Sequence, residues 1–172
     1  MEYYKTEIKN LFLLKFKKKK DKRGFFAEIY NSNKNKKKIN LNFLQQNISF
    51  SKYKNVFRGM HFQTRNFSQD KLLMVIKGEI DDFIFDLRKN SQTYRKLVKI
   101  NLKENDNKLI YIPKGCAHGF LTKKINTLIM YSVTKNYNQN SDSGYNYKSL
   151  GIKLPRKIII SKRDKSLPFF DI

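Results

Sequence analysis

Short apolar runs rich in Ile, Val, Phe, Tyr and Leu alternate along this chain with clusters of Asn, Asp, Ser, Lys and Gly. That pattern predicts strands over Phe25–Tyr30, Asn42–Ser49, Val56–Phe62, Leu72–Lys77, Ile80–Leu87, Leu97–Leu102, Leu109–Ile112, Gly119–Thr122 and Leu128–Thr134. β-Branched and aromatic side chains suit a pleated, half-buried surface, and turn formers bound each run. Helix signals are weak. Lys77-Gly78-Glu79 reads as a tight turn and Ile112-Pro113-Lys114-Gly115 as a turn or strand edge, because proline removes a ladder donor and glycine permits unusual backbone angles. Strands this short and numerous need two packed sheets or a closed barrel, so the expected fold is all-β with little helix.

Strand parity then locates chemistry. Ile129, Tyr131 and Val133 share one face of their strand, which is either a core face or the wall of a pocket. Arg58 and His61 fall on opposite parity, and a regular strand sends them to different sides. Gly59 lies between them. A bulge at this glycine would turn both side chains into one cavity, and bulges are common beside active sites.

Composition changes the picture in three ways. A chain of 172 residues supports one substantial core, so a single domain over residues 1–172 is expected. Lys+Arg 37 against Asp+Glu 14 gives a formal net charge of +23, which first suggests nucleic acid or an anionic membrane. The lysines are scattered through every segment, however, with runs at Lys17–Lys20 and Lys36–Lys38 and no recognisable nucleic-acid motif, and the reading is a solvated exterior. The field would still favour a nucleotide diphosphate. The lone Cys116 cannot form an intramolecular disulfide and pairs with no zinc-type motif, no apolar stretch approaches membrane-spanning length, and a cytoplasmic protein with no membrane partner is expected.

The chain has two histidines, in Arg58-Gly59-Met60-His61-Phe62-Gln63 and in Pro113-Lys114-Gly115-Cys116-Ala117-His118-Gly119-Phe120. Between them come Gln69-Asp70-Lys71-Leu72 and the carboxylates Asp82 and Asp86; Tyr131 and Ser161-Lys162-Arg163-Asp164 follow. In order and spacing, from Asp21 to Asp164, these segments resemble the dTDP-4-dehydrorhamnose 3,5-epimerase family. The resemblance implies a cupin-type jelly roll and inversion of carbons next to the keto group of a nucleotide-linked 4-keto-6-deoxy sugar, with dTDP as the nucleotide.

That reaction needs a base for an acidic C–H, a cation for the enolate and an acid on the opposite face. It calls for no metal and no cofactor. The resemblance gives His61 the base, Lys71 the cation near the keto oxygen, Tyr131 the acid, and Asp164 the carboxylate that pairs with the base. Taken singly, His61 is more often a structural or surface histidine than a base, Lys71 one of many solvated lysines, and Tyr131 a core residue. The ordered constellation favours the chemical reading.

Binding roles are implied in the same way. Asp21-Lys22-Arg23-Gly24-Phe25-Phe26-Ala27-Glu28 resembles a segment whose Arg23 and Glu28 contact the ligand; otherwise they form ordinary surface ion pairs. Gln45 and Asn47 match ligand-contacting amides, with strand-edge bonding as the plain alternative. Arg58 offers a rigid guanidinium fork to a phosphate or carbonyl. His118 matches a substrate contact or is a buried, hydrogen-bonded histidine. Tyr137 matches an aromatic that stacks on the base, Asp142 stands where a glutamate is expected, and Arg163 stands where lysine is usual.

The chain has no Trp in the region of Tyr145 to Pro155 where the family has tryptophans, and Gln46 replaces an acidic residue. These departures leave open the nucleotide, the sugar and the number of inverted centres. A single-centre C3 or C5 epimerase and a non-catalytic sugar-nucleotide-binding cupin are the alternatives. The resemblance also implies a homodimer whose N-terminal strand crosses to the partner, and the apolar segments Leu11–Leu14 and Pro168-Phe169-Phe170 look hard for a small monomer to cover.

Overall fold

The structure is a computed structural model that describes residues 1–35, 39 and 41–171. The lysine run at 36–38 lies outside the described residues. Fourteen strands form among the described residues: β1 (Glu2–Lys5), β2 (Phe12–Lys15), β3 (Lys19–Asp21), β4 (Gly24–Phe26), β5 (Gln45–Ser51), β6 (Val56–Gln63), β7 (Lys71–Lys77), β8 (Glu79–Asp86), β9 (Leu97–Lys103), β10 (Lys108–Ile112), β11 (Cys116–Thr122), β12 (Thr127–Val133), β13 (Asp142–Gly144) and β14 (Ile159–Ile160). Among the described residues two one-turn α-helices, α1 (Ser32–Asn35) and α2 (Lys162–Lys165), and three short 3-10 turns accompany them. None of the described helices is long and apolar enough to cross a membrane.

One sheet runs β1-β2-β10-β7-β12-β5, the second runs β13-β6-β11-β8-β9 with β14 beside β6, and β3-β4 form a separate hairpin. Spatial neighbours are mostly not sequence neighbours, which is the jelly-roll way of wrapping two antiparallel sheets around one interior. The fold is the all-β, cupin-type jelly roll expected.

The interior is built by alternation. Leu73, Val75, Ile110, Ile112 and Ile129 from the first sheet meet Ile80, Ile84, Val98, Leu102 and Phe120 from the second. Fully burying one such side chain stabilises the fold by roughly 1.5–3 kcal/mol. β8 is buried on both faces, since Ile80 and Ile84 point between the sheets while Phe83 and Phe85 pack under Leu150, Ile152 and Phe170. Ile80, Asp82, Ile84 and Asp86 share parity, so two carboxylates are aimed inward among aliphatics.

Three expectations are corrected. Phe25–Tyr30 pairs only through Gly24–Phe26; Ile29 and Tyr30 instead pack on the outer face of the first sheet, where the Tyr30 hydroxyl donates to the Leu41 carbonyl at 2.9 Å. Leu11 and Leu14 are fully buried within this chain, and Phe12 and Leu13 pack partly buried against its cores, so most of that segment is covered without a partner. Phe170 likewise packs against Phe85 and Tyr145, whereas Phe169 is exposed. The strands β1 and β2, unforeseen, extend the first sheet through the register Tyr3↔Leu14 and Ile110↔Leu13.

The bulge at Gly59 is present. His118 sits opposite His61, but Phe120 sits opposite Arg58, so three steps on β6 face two on β11. Gly59 has φ +133°, and a Cβ built there would lie 2.4 Å from the Gly119 Cα. A Cβ on Gly119 would in turn lie 2.8 Å from the Arg58 carbonyl oxygen. Two facing glycines therefore let the backbones touch while the extra residue is absorbed. Gly59→Ala should lower the urea midpoint by the equivalent of about 2–4 kcal/mol, because strain and overlap add. A melt unchanged within error would show that the bulge tolerates a side chain.

Candidate active site

The bulge sends Phe57 and Met60 into the core beneath β6 and leaves Arg58 and His61 on the inner wall of a cavity of about 630 Å³. Lys71, His118, Tyr131 and Asp164 line the same cavity. His61 Nε2 lies 3.0 Å from Asp164 Oδ1, and the Gly59 amide, freed from the ladder by the bulge, donates to Asp164 Oδ2 at 3.0 Å. Asp164 is held in turn by the first turn of α2, where its amide donates to the Ser161 side chain at 3.0 Å. Burial alone would raise the Asp164 pKa, but hydrogen bonds from His61 and the Gly59 amide outweigh it and hold the carboxyl below its usual range. An ionised Asp164 assigns the neutral imidazole proton to Nε2 and leaves the Nδ1 lone pair free.

Lys71 opens β7 and is fixed through its neighbour. Asp70 accepts from Tyr111 at 2.8 Å and from the Lys114 amide at 3.0 Å, and its own amide donates to Thr134 at 2.9 Å. Loss of hydration pushes the Lys71 ammonium down to about 8, while Asp142 and Asp82 pull it back up. Tyr131 resolves the two readings of its strand face: Ile129 and Val133 are core, and Tyr131 continues that face into the cavity wall. Burial raises its phenol, with Arg58 lowering and Asp142 raising it, so it is protonated at neutral pH.

A second histidine–carboxylate pair stands beside the first. His118 Nε2 is 2.6 Å from Asp82 Oδ1, and His118 faces His61 across the ladder. Asp82 is 0% exposed, and its other oxygen has no hydrogen-bond partner among the described residues. The sequence reading missed Asp82 as a partner. Its signal was the inward parity of a carboxylate between Ile80 and Ile84.

A neighbouring cavity of about 470 Å³ shares His61, Lys71, Tyr131 and Arg163 with the first and adds Gln45, Asn47, Tyr137 and Asp142. Gln45 Nε2 donates to Asn47 at 2.8 Å, and the Tyr137 amide donates to Gln45 at 2.8 Å. Asp142 receives both the Tyr137 hydroxyl, at 2.9 Å, and the Arg163 guanidinium. Gln63 and Gln69, not foreseen, also line this space, and Gln63 accepts from the Asn138 amide at 3.0 Å. Gln46 faces away and donates to Ser132 at 3.1 Å. Arg23 and Glu28 are not brought to either cavity: Arg23 pairs with Asp21 at 2.7 Å and Glu28 with Lys34 at 2.8 Å, both on the surface. Among the described residues no three His, Cys, Asp or Glu side chains converge as a metal shell would.

A family model described as dTDP-4-dehydrorhamnose 3,5-epimerase matches residues 5–171. The chain belongs to that epimerase family. The dTDP-4-dehydrorhamnose 3,5-epimerase of Salmonella typhimurium is 36% identical over 173 residues, covering 97% of this chain and 94% of its own. That of Escherichia coli is 35% identical, with 97% and 93% covered. Among solved structures, the Bacillus anthracis epimerase with TDP and PPi bound superposes with a TM-score of 0.94 at 35% identity, covering 98% and 99% of the two chains. The Legionella pneumophila enzyme in complex with dTDP-4-keto-L-rhamnose gives 0.89 at 29% identity and 99% coverage of both. The chain is thus an isomerase, an epimerase of a nucleotide-linked 4-keto-6-deoxy sugar that inverts carbons beside the C4 ketone.

The charge state of this epimerase's cavity can be read at Lys71, which is a cation below about pH 8 and neutral above it. An NMR titration of its side chain should show a midpoint near that value. Asp142→Asn removes an attraction that favours the ammonium, and it should move the midpoint lower still. A wild-type midpoint near the ordinary lysine value of about 10.4 would mean the ammonium keeps its water.

Proposed function

We propose that the substrate is a dTDP-linked 4-keto-6-deoxy sugar and that both C3 and C5 are inverted, with His61 as base, Lys71 as enolate-stabilising cation, Tyr131 as acid and Asp164 as the group that orients His61. The observation that carries this reading is the 3.0 Å His61–Asp164 pair set in one cavity with Lys71 and Tyr131. His61 takes the proton from the carbon beside the ketone, and the C–H electron pair moves onto the ketone oxygen as an enolate. The Lys71 ammonium offsets that charge where water is scarce, so the attraction is worth more than in bulk solvent. Tyr131 then protonates the carbon from the opposite face, and solvent restores both groups. The ring returns to its starting charge with one centre inverted.

The second cavity suits the nucleotide. Tyr137 offers an exposed ring for stacking, Arg163, which lines both cavities, and Arg58 from the first offer forked donors to the diphosphate, and Gln45, Asn47 and Asp142 supply polar contacts to the nucleoside and sugar. His118, fixed by Asp82, contacts the sugar. One domain carries the whole cavity, and the cytoplasm is where the buried Cys116 thiol, pushed up to about 12 by burial, stays reduced.

A homodimer with an exchanged N-terminal strand is part of the same reading. Phe25 and Phe26 are 60% and 68% exposed on the β3–β4 hairpin, and Ile48 and Phe50 stand exposed on β5. Single exposed apolar residues are ordinary, but these clusters suit contact with a second copy. In that dimer Arg23 and Glu28 exchange their local ion pairs for the partner's cavity. Light scattering at low concentration should give twice the chain mass; a fully active monomer would reject a shared cavity.

Label exchange in deuterated water separates the two proton transfers. His61→Ala should lower both exchange and inversion by roughly two to four orders of magnitude, the usual worth of a positioned base. Tyr131→Phe should still incorporate deuterium beside the ketone while giving little inverted sugar. Equal retention of exchange and inversion in Tyr131→Phe would remove Tyr131 from the mechanism, and near wild-type turnover in His61→Ala would remove His61.

A further inference from the structure

Behind the segment that carries Asp164 lies another concavity, of about 460 Å³, that has Ile160 alone in common with the epimerase cavity. Lys148, Arg156, Lys157 and Lys165 line it, with Tyr147 and Ile160 among its less polar surfaces. These cations come from three separate stretches: the turn at Tyr147–Leu150, the strap before β14, and α2. Among the described residues no carboxylate lines the cleft, and none of the four cationic side chains has an ion-pair partner. The contrast with the epimerase cavity is direct, since Arg163 there is paired with Asp142 and His118 with Asp82.

The cleft is held in shape by buried groups. Asn146 is 5% exposed; its amide nitrogen donates to the Lys165 carbonyl at 2.9 Å, and its amide oxygen accepts from the Lys148 backbone at 3.1 Å. One side chain thus ties two of the cation-bearing stretches together. The third is tied to β6 by Asn55, whose amide donates to the Lys157 carbonyl at 3.3 Å, and by the Ile159 amide, which donates to the Asn55 carbonyl at 2.9 Å. Tyr147 packs at 5.3 Å from the Phe57 ring, so the inner wall is anchored in the core.

Four like charges around one fixed concavity repel one another, and a multiply charged anion relieves that repulsion while the low-dielectric walls focus the field. Arg156 supplies a forked donor and the three lysines supply point charges, the donor set that phosphate oxygens accept. The volume falls in the range of small-molecule sites. We propose that this cleft binds a pyrophosphate group, free or carried on a small nucleotide, at a site separate from the substrate cavity. Because Lys165 follows Asp164 and Ile160 borders both cavities, the bound anion rests against the segment that orients His61.

The test is calorimetric titration of the full chain with inorganic pyrophosphate, with and without one equivalent of dTDP, which can fill only one of two separate sites, at about 0.15 M salt, where diffuse attraction is screened beyond ~8 Å. One equivalent should bind in the presence of dTDP. Arg156→Ala/Lys165→Ala should weaken that equivalent at least tenfold with an unchanged melting temperature, both side chains being exposed. Lys99→Ala/Lys124→Ala removes the same charge from exposed positions elsewhere and should leave it intact. A parallel titration with ATP distinguishes the sources: tighter binding than pyrophosphate assigns a nucleotide, and equal binding assigns the bare diphosphate. Complete displacement by dTDP, absence of the equivalent, or equal weakening in both double variants would overturn the proposal, the last because the +23 charge as a whole would then be the attractant.

Discussion

The close approach of Gly59 to Gly119 is the constraint on which the site depends. Because β6 takes three steps where β11 takes two, Arg58 and His61 escape the alternation that would separate them. The same irregularity leaves the Gly59 amide without a ladder partner, and that amide binds Asp164. One backbone defect thus aims the histidine and anchors the carboxylate that orients it. Side chains at either glycine would push the two strands apart, so the cost of the device falls on residues with no chemistry of their own.

Around that defect the interior is polarised by groups that stability alone would not select. Asp82 and Asp164 are buried beside histidines, and Lys71 has lost enough water to bring its ammonium close to neutral pH. Unpaired buried charge is expensive, so each carboxylate is held by a histidine and each has an aliphatic or backbone frame around it. The abundant surface lysines play a different part. They set a positive field that favours an anionic ligand's approach, while the cavity's own selectivity rests on a few placed groups.

Much of this was legible in the sequence because it follows from period and parity. Nearly every strand from β5 to β12 could be placed from its apolar run, and the clash of parity between Arg58 and His61 announced the bulge at Gly59. What escaped notice depended on tertiary pairing. β1 and β2 are only four residues long, and it is the register of β1 on β2 and of β2 on β10 that makes them strands. Phe25 to Tyr30 has strand-like composition but lacks a strand to pair with beyond Phe26. Asp82 and His118 meet across 36 positions, a distance no local pattern encodes. Asp164, by contrast, was found through a motif, since nothing in its immediate surroundings points to a residue 103 positions away.

That last separation makes the site depend on how the C-terminal stretch docks. The sheets can form, with the glycines in contact and Lys71 and Tyr131 in place, before the stretch from β14 through α2 docks against β6. Until it does, the His61 ring has no carboxylate to fix its tautomer, and the Gly59 amide points at water. The oriented base therefore exists only once that stretch has docked. A molecule caught with that stretch undocked would hold a cavity of nearly the right shape and have an undirected imidazole inside it. Competence for proton transfer is a property of the completed fold, not of the cavity's shape alone.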